Sequence, residues 1–126
     1  MKTDNYFIGF LHSFFRIFQA RIEEFELNGS AISGVISWGD EVQQFLWDIP
    51  ENNNDIENSI SLINYLIKNN LIKGDMITIS KETLISILLK YGWELSKIEN
   101  AINYVCSVRV AMINEGQVSD NFLIHF

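Results

Sequence analysis

Two pairs of adjacent carboxylates, Glu23-Glu24 and Asp40-Glu41, are of the residue type that performs acid–base catalysis. A catalytic carboxylate pair works when its surroundings separate the two pKa values, so that one group donates a proton and the other accepts one. Neighbouring residues on a helix point about 100° apart, so neither doublet forms such a dyad by itself. These carboxylates therefore do not by themselves indicate an enzyme.

Cys106 and two histidines are the other candidates for nucleophilic or metal chemistry. Cys106 lies near the end of a predicted helix, where nothing lowers the pKa of the thiol, and its neighbours are typical of a small buried hydrophobe. His12 and His125 have no His or Cys at ligand spacing, and the loop 51–55 lacks the Gly and distal Glu of a calcium loop. We therefore expect no enzymatic activity, no metal and no cofactor.

A long segment of one charge sign is the most informative feature of the chain. Residues 22–67 contain no Lys, Arg or His, and their nine carboxylates are Glu23, Glu24, Glu26, Asp40, Glu41, Asp48, Glu51, Asp55 and Glu57. Residues 1–54 hold eight acidic and three basic residues, whereas residues 55–126 hold eight and six. Such a field favours a basic partner and argues against direct binding of nucleic acid or an anionic membrane.

Trp38 and Trp47 lie close in sequence to three of these acids, Asp40, Glu41 and Asp48, which suggests a protein interface. In such an interface Trp serves as an anchor, and carboxylates steer and pair with Arg or Lys. The alternative is that both Trp residues belong to the core and the acids are merely solvated. The predicted partner-binding residues are Glu23, Glu24, Glu26, Trp38, Asp40, Glu41, Trp47, Asp48, Glu51 and Asp55.

The first segment, from Asp4 to Leu27, is predicted to form one long helix that ends at Asn28-Gly29. The basis is a set of apolar residues at spacings of three and four, namely Phe7, Leu11, Phe14, Phe18, Ile22 and Phe25. A helix with so much apolar surface is either central to the core or shared with a partner, so a homodimer through this Phe-rich helix is an open alternative.

The sequence supports two alternative secondary structures for part of the middle of the chain. Residues 30–37 are predicted to form a short strand, and Asp40 is predicted to cap a short helix over residues 41–47. A strand from Val42 to Ile49 is the competing prediction. The polar loop 50–55 is the credible linker, and its brevity indicates two halves packed together in a single domain over residues 1–126.

Asp55 and Ser80 are each predicted to cap a helix, and Ser96-Lys97-Ile98-Glu99 is predicted to be the capping box of a third. The order of predicted elements in residues 55–126, which is helix, strand, helix, helix and hairpin, resembles the winged-helix arrangement. In winged-helix proteins the second helix of the pair enters the major groove of DNA. Here that helix offers Asn100 and Asn103 for base contacts, but only Lys97 and Arg109 lie nearby as phosphate anchors. We therefore expect this half to serve packing or protein contact. The predicted fold class is α+β and mostly helical.

In overall character the chain resembles the immunity proteins of bacterial toxin systems, including contact-dependent growth inhibition. It shares with them small size, a net charge of −7, a single cysteine that fits a reducing cytoplasm, and the absence of catalytic motifs. The resemblance implies an inhibitor that occludes a cationic toxin, such as a nuclease. A phage-type DNA-mimic inhibitor and a winged-helix transcriptional regulator are the alternative functions.

Overall fold

A computed structural model describes residues 2–50 and 55–126, and it describes residues 2–5, 114 and 119–122 by their backbone alone. The helices in these residues are α1 (Lys2–Ile17), α2 (Ile56–Lys68), α3 (Lys81–Lys90) and α4 (Leu95–Ser107). The strands are β1 (Ala20–Asn28), β2 (Ala31–Trp38), β3 (Glu41–Asp48), β4 (Ile72–Lys73), β5 (Met76–Ile77), β6 (Val110–Asn114) and β7 (Gln117–Phe122).

A five-stranded antiparallel sheet joins three strands of the N-terminal half to the C-terminal hairpin, in the order β1-β2-β3-β6-β7, while β4 and β5 form a small separate sheet. The fold is therefore α+β, but the expectation of a mostly helical protein is wrong. The prediction of one helix from Asp4 to Leu27 is wrong in its second half, because α1 ends at Ile17 and residues 20–28 form the strand β1. Residues 41–48 also form a strand, as the competing prediction had it.

The end of α1 explains the first of these corrections. Gln19 adopts a positive φ of 61°, which reverses the chain without the Gly or Pro that normally marks a helix end. Two backbone hydrogen bonds tighten the last turn, from Phe18 N–H to Phe15 C=O at 3.0 Å and from Gln19 N–H to Arg16 C=O at 3.1 Å. The sequence therefore contains no conventional stop signal where the helix ends.

The helices cover one face of the sheet, called here the inner face. Alternate residues of β2 and β3 point toward α1, and Ile32, Ile36, Phe45 and Trp47 are each at most 1% exposed. The Phe10 ring stacks on Trp47 with centroids 5.4 Å apart, and Phe15 meets Phe45 edge-on at 5.1 Å. This burial confirms α1 as a central core helix.

The C-terminal half contains its predicted helices, with one shifted start. The Ser80 hydroxyl caps α3 by accepting a hydrogen bond from Thr83 N–H at 3.1 Å, as predicted. The α4 helix begins at Leu95 with Glu94 as its N-cap, so Ser96 is not the cap that the capping-box pattern predicted. The β6–β7 hairpin joins the large sheet through β3 and is not a free wing.

Candidate protein-binding surface

The sheet face opposite the helices, called here the open face, is the candidate site. Strand register and the two-residue alternation of side chains assign to it Ser33, Val35 and Ser37 of β2, Val42, Gln44, Leu46 and Asp48 of β3, and Ala111 and Ile113 of β6. None of these nine side chains is buried. Val35, Leu46 and Ile113 therefore form an accessible apolar patch in the middle of this face, called here the apolar centre.

A β-bulge in β1 places three carboxylates along one border of the open face. The register passes from Ile22 opposite Ile36 to Glu24 opposite Val35, so Glu23 is an extra residue on the bulged strand. Its carboxylate reaches Ser37 on the open face, where Glu24 and Glu26 also point by register. We call Glu23, Glu24 and Glu26 the acidic edge.

Two cross-strand rows connect the acidic edge to the apolar centre. One row contains Glu24, Val35, Gln44 and Ile113, and the next contains Glu26, Ser33, Leu46 and Ala111. Each row crosses three strand spacings, which is roughly 14 Å. A partner lying on this face would contact apolar side chains at one end of a row and a carboxylate at the other.

Glu23 is held in place by two neighbours. Its Oε1 accepts hydrogen bonds from the Ser37 hydroxyl at 2.6 Å and from Arg21 Nη2 at 3.0 Å and Nε at 3.2 Å. These hydrogen bonds, with the charge of Arg21, lower the pKa of Glu23 below its ordinary value. Glu24 and Glu26 form no ion pair with any residue that the structure describes, so their charges are available.

The acidic edge borders two adjoining shallow depressions. One has a volume of about 360 Å³ and is lined by Glu24, Phe25, Glu26, Ser33 and Gly34. The other has a volume of about 270 Å³ and is lined by Glu24, Ser33, Gly34, Val35, Gln44, Phe45 and Ile113. Their shared residues make one continuous concavity that runs from β1 toward β6.

Gly34 lets β1 lie this close to β2. A Cβ atom at this position would lie 2.8 Å from Phe25 Cα, 3.0 Å from the Phe45 ring and closer still to the Glu24 carbonyl oxygen. Backbone atoms cannot move aside as the end of a flexible side chain can. Any residue other than Gly would therefore displace the strand that carries the acidic edge.

The remaining predicted site residues are distributed over several places. Asp48 lies on the open face at the end of β3, opposite Ala31. Asp40 and Glu41 are exposed at the β2–β3 turn, at the other end of these strands, and Trp38 beside them is 40% exposed. The acids of residues 22–67 therefore do not all converge on one surface.

Trp47 is removed from the predicted interface, because it is 1% exposed and packs against Phe7 and Phe10. For this residue the core alternative is the correct one. Asp55 is half-buried at the N-cap of α2, where its carbonyl oxygen accepts a hydrogen bond from the Ser59 hydroxyl at 2.7 Å. Glu51 lies outside the described residues.

The Phe-rich surface of α1 is used inside the molecule. Phe7, Phe10, Phe14 and Phe15 are at most 6% exposed and belong to the core that also contains α2 and α4. A homodimer that buries these rings between two copies would require the core to open. These four rings therefore do not form an exposed surface for such a dimer.

The structure adds little catalytic potential. Among the described residues no three His, Cys, Asp or Glu side chains cluster as metal ligands. Burial raises the pKa of the Cys106 thiol, although Lys81 acts in the opposite direction, so the reactive thiolate is disfavoured at neutral pH. His125 Nε2 lies 3.6 Å from an Asp75 carboxylate oxygen, and both side chains are largely exposed.

The sequence prediction missed the apolar centre of the open face. Val35, Leu46 and Ile113 carry no charge and form no motif, so nothing marked them individually. The alternation of Ser33, Val35 and Ser37 with Ile32 and Ile36 was the available signal, because it separates a polar-to-small face from a buried one. Their cross-strand alignment depends on register, which the sequence does not specify.

Comparison with protein-family models, curated proteins and solved structures found no match to this chain. None of the helices in the described residues combines the length and apolar character needed to cross a membrane.

Proposed function

We propose that this protein is a non-catalytic inhibitor that binds a basic protein partner through the open face and its acidic edge. In this proposal it is a cytoplasmic immunity protein, and its partner is a toxin of the nuclease type. Inhibition is steric and electrostatic, since the protein covers the cationic cleft in which the toxin would hold nucleic-acid phosphates. No cofactor and no chemical step are involved.

The β1 bulge is the observation that carries the proposal. A regular strand would send Glu23 and Glu24 to opposite faces of the sheet, whereas the bulge leaves both carboxylates on the open face with Glu26. Bulges re-aim side chains at functional positions. Three acids on one border, with Arg21 bound to Glu23 alone, favour a cationic partner over mere solubility.

The apolar centre supports binding over long-range steering alone. Val42 is 67% exposed, and Val35, Leu46 and Ile113 are partly accessible on the same face. Burying such side chains supplies affinity, while the carboxylates at the border supply orientation and association rate. The same acidity opposes direct contact with nucleic acid or an anionic membrane surface.

Capture from the native host tests this function. The tagged wild-type protein serves as bait beside Glu24→Lys/Glu26→Lys and the matched control Glu82→Lys/Glu99→Lys, which makes the same charge change at exposed residues of α3 and α4. We expect wild type and the control to recover the same basic protein, and the β1 variant to lose it. Circular dichroism and thermal unfolding establish that all three baits are folded.

The recovered protein is then assayed for nuclease activity with and without the bait. We expect an equimolar amount of wild-type protein to abolish the activity and the β1 variant to leave it unchanged. Recovery of the same proteins by all three baits would contradict the proposed surface. A recovered partner whose activity is not inhibited would contradict the inhibitory function.

A further inference from the structure

The second half of β1 extends beyond the helical layer. Ala20 and Ile22, at the start of the strand, are buried, whereas every residue from Glu24 to Asn28 is exposed. Phe25 and Leu27 are 50% and 41% exposed, although their register with Gly34 and Ile32 directs them to the inner face. Two apolar side chains are thus exposed on a part of β1 whose other residues, Glu24, Glu26 and Asn28, are polar.

This part of β1 is also a regular sheet edge. After the bulge the register runs without interruption from Glu24 opposite Val35 to Asn28 opposite Ala31. In the described residues β2 is the sole strand that pairs with β1, because β1 is the terminal strand of the sheet. Alternate residues of an edge strand direct their N–H and C=O groups outward, where another strand can pair with them.

We propose that residues 24–28 of β1 accept an extended strand of the basic partner, which continues the sheet by β-augmentation. The inference rests on the proposed function, and it specifies how the partner docks. Glu24 and Glu26 point to the open face, and Phe25 and Leu27 point to the other. The matching strand therefore alternates basic residues with apolar ones.

The charges of the edge argue against a second copy of this chain as the occupant. Antiparallel self-pairing centred on Phe25 would place Glu24 opposite Glu26 of the second copy, and pairing centred on Glu26 would place two copies of that residue face to face. Like charges directly opposite each other destabilise a strand pair. A basic strand replaces this repulsion with attraction at the same positions.

A synthetic peptide tests the docking mode without the native partner. The probe is a short capped peptide of alternating Lys and Ile. One control has the same composition with all Lys preceding all Ile, and the other is the alternating peptide N-methylated at its backbone amides. The second control keeps charge and side chains but cannot donate the hydrogen bonds of a strand pair. Affinity is measured by calorimetry and location by hydrogen–deuterium exchange.

We expect the alternating peptide to bind about tenfold more tightly than either control and to slow amide exchange in residues 24–28 by a similar factor. Glu24→Gln/Glu26→Gln should weaken it, and Glu82→Gln/Glu99→Gln should not. Equal binding of the three peptides, protection elsewhere, no binding, or self-association of the protein through β1 would each overturn β-augmentation. Those results would leave the capture experiment, and with it the proposed inhibitory function, standing or failing by its own outcome.

Discussion

The inner and open faces of the five-stranded sheet are built from the same strands, yet their side chains differ in burial and chemistry. Trp47 and Phe45 on the inner face are buried against aromatic rings of α1, while their neighbours Leu46 and Gln44 on the open face remain accessible. The side chains of the inner face therefore stabilise the fold. We expect substitutions on the open face to cost little stability, so its side chains are available for binding a partner.

Substitution on the two faces of β3 should separate these tasks most clearly. We expect Trp47→Ala to lower the free energy of unfolding by about 3–5 kcal/mol, because it removes a large ring from a packed core. Val42→Ala, on the exposed open face of the same strand, should cost under about 1 kcal/mol. Urea denaturation measures both values, and similar losses for the two variants would erase the distinction.

Gly34 joins the two faces, because it determines how closely β1 approaches β2. We expect Gly34→Ala to destabilise the protein by about 1–3 kcal/mol and to speed amide exchange in β1, since its Cβ would meet backbone atoms. Gly9→Ala in α1 is the matched control, because a Cβ atom at Gly9 would lie 3.7 Å from Ile60 Cδ1, which is an ordinary van der Waals contact. That helical substitution should stabilise by about 0.5–1 kcal/mol. The same sign for both would contradict the close approach of the strands.

Tyr104 tests whether the helix-packed side tolerates a polar group. Its ring meets Phe10 edge-on, and within the described residues its buried hydroxyl has no hydrogen-bond partner. We expect Tyr104→Phe to raise the free energy of unfolding by about 1 kcal/mol at neutral pH, because an unpaired buried hydroxyl is costly. Tyr91→Phe, at a 69% exposed residue, should change it little.

The same tyrosine predicts an alkaline effect. Burial raises the pKa of Tyr104 from 10.0 to about 12. Between those values the unfolded chain loses the phenolic proton while the folded chain keeps it, so stability falls as pH rises through this interval. Tyr104→Phe should reduce the fall, as measured by urea denaturation across the alkaline range. An unchanged slope would mean that Tyr104 is hydrated.

Glu23 on the open face should show the smallest effect, because it is exposed. Ser37→Ala and Arg21→Gln should each raise the pKa of Glu23 toward its ordinary value, whereas Ser33→Ala should not. A lowered pKa contributes stability above the ordinary value, and this contribution is lost as pH falls through the lowered one. NMR titration of the Glu23 carboxyl measures the shift, and no response to either partner would show that the bulge does not orient this side chain.

The sequence predicted the helices of the C-terminal half better than it predicted the strands of the sheet. The helices that follow Asp55 and Ser80 were predicted because polar caps and regular apolar spacing mark them. The Ser80 hydroxyl caps α3 as expected, whereas Asp55 is the N-cap of α2 without a capping hydrogen bond from its side chain. The bulge explains why the sequence of β1 was predicted to be helical. Its extra residue, Glu23, places the inner-facing Ile22 and Phe25 three positions apart, which is a helical spacing.

The candidate site was predicted in part. Composition identified Glu23, Glu24 and Glu26, because a run of one charge sign is visible without any structure. It also included Trp47, since a sequence does not distinguish an interfacial Trp from a buried one. The apolar centre and its alignment with the acids depend on strand register, which is set by tertiary packing between residues far apart in the chain.

The association rate of the captured complex, measured by stopped flow across a range of ionic strength, tests the central role of the acidic edge most directly. We predict that added salt slows association of the wild-type protein, and that the neutral variant Glu24→Gln/Glu26→Gln, which still binds, loses most of this dependence. The control Glu82→Gln/Glu99→Gln should retain the wild-type slope. A wild-type rate that is independent of salt, or equal slopes for both variants, would contradict the assignment of the binding surface to β1.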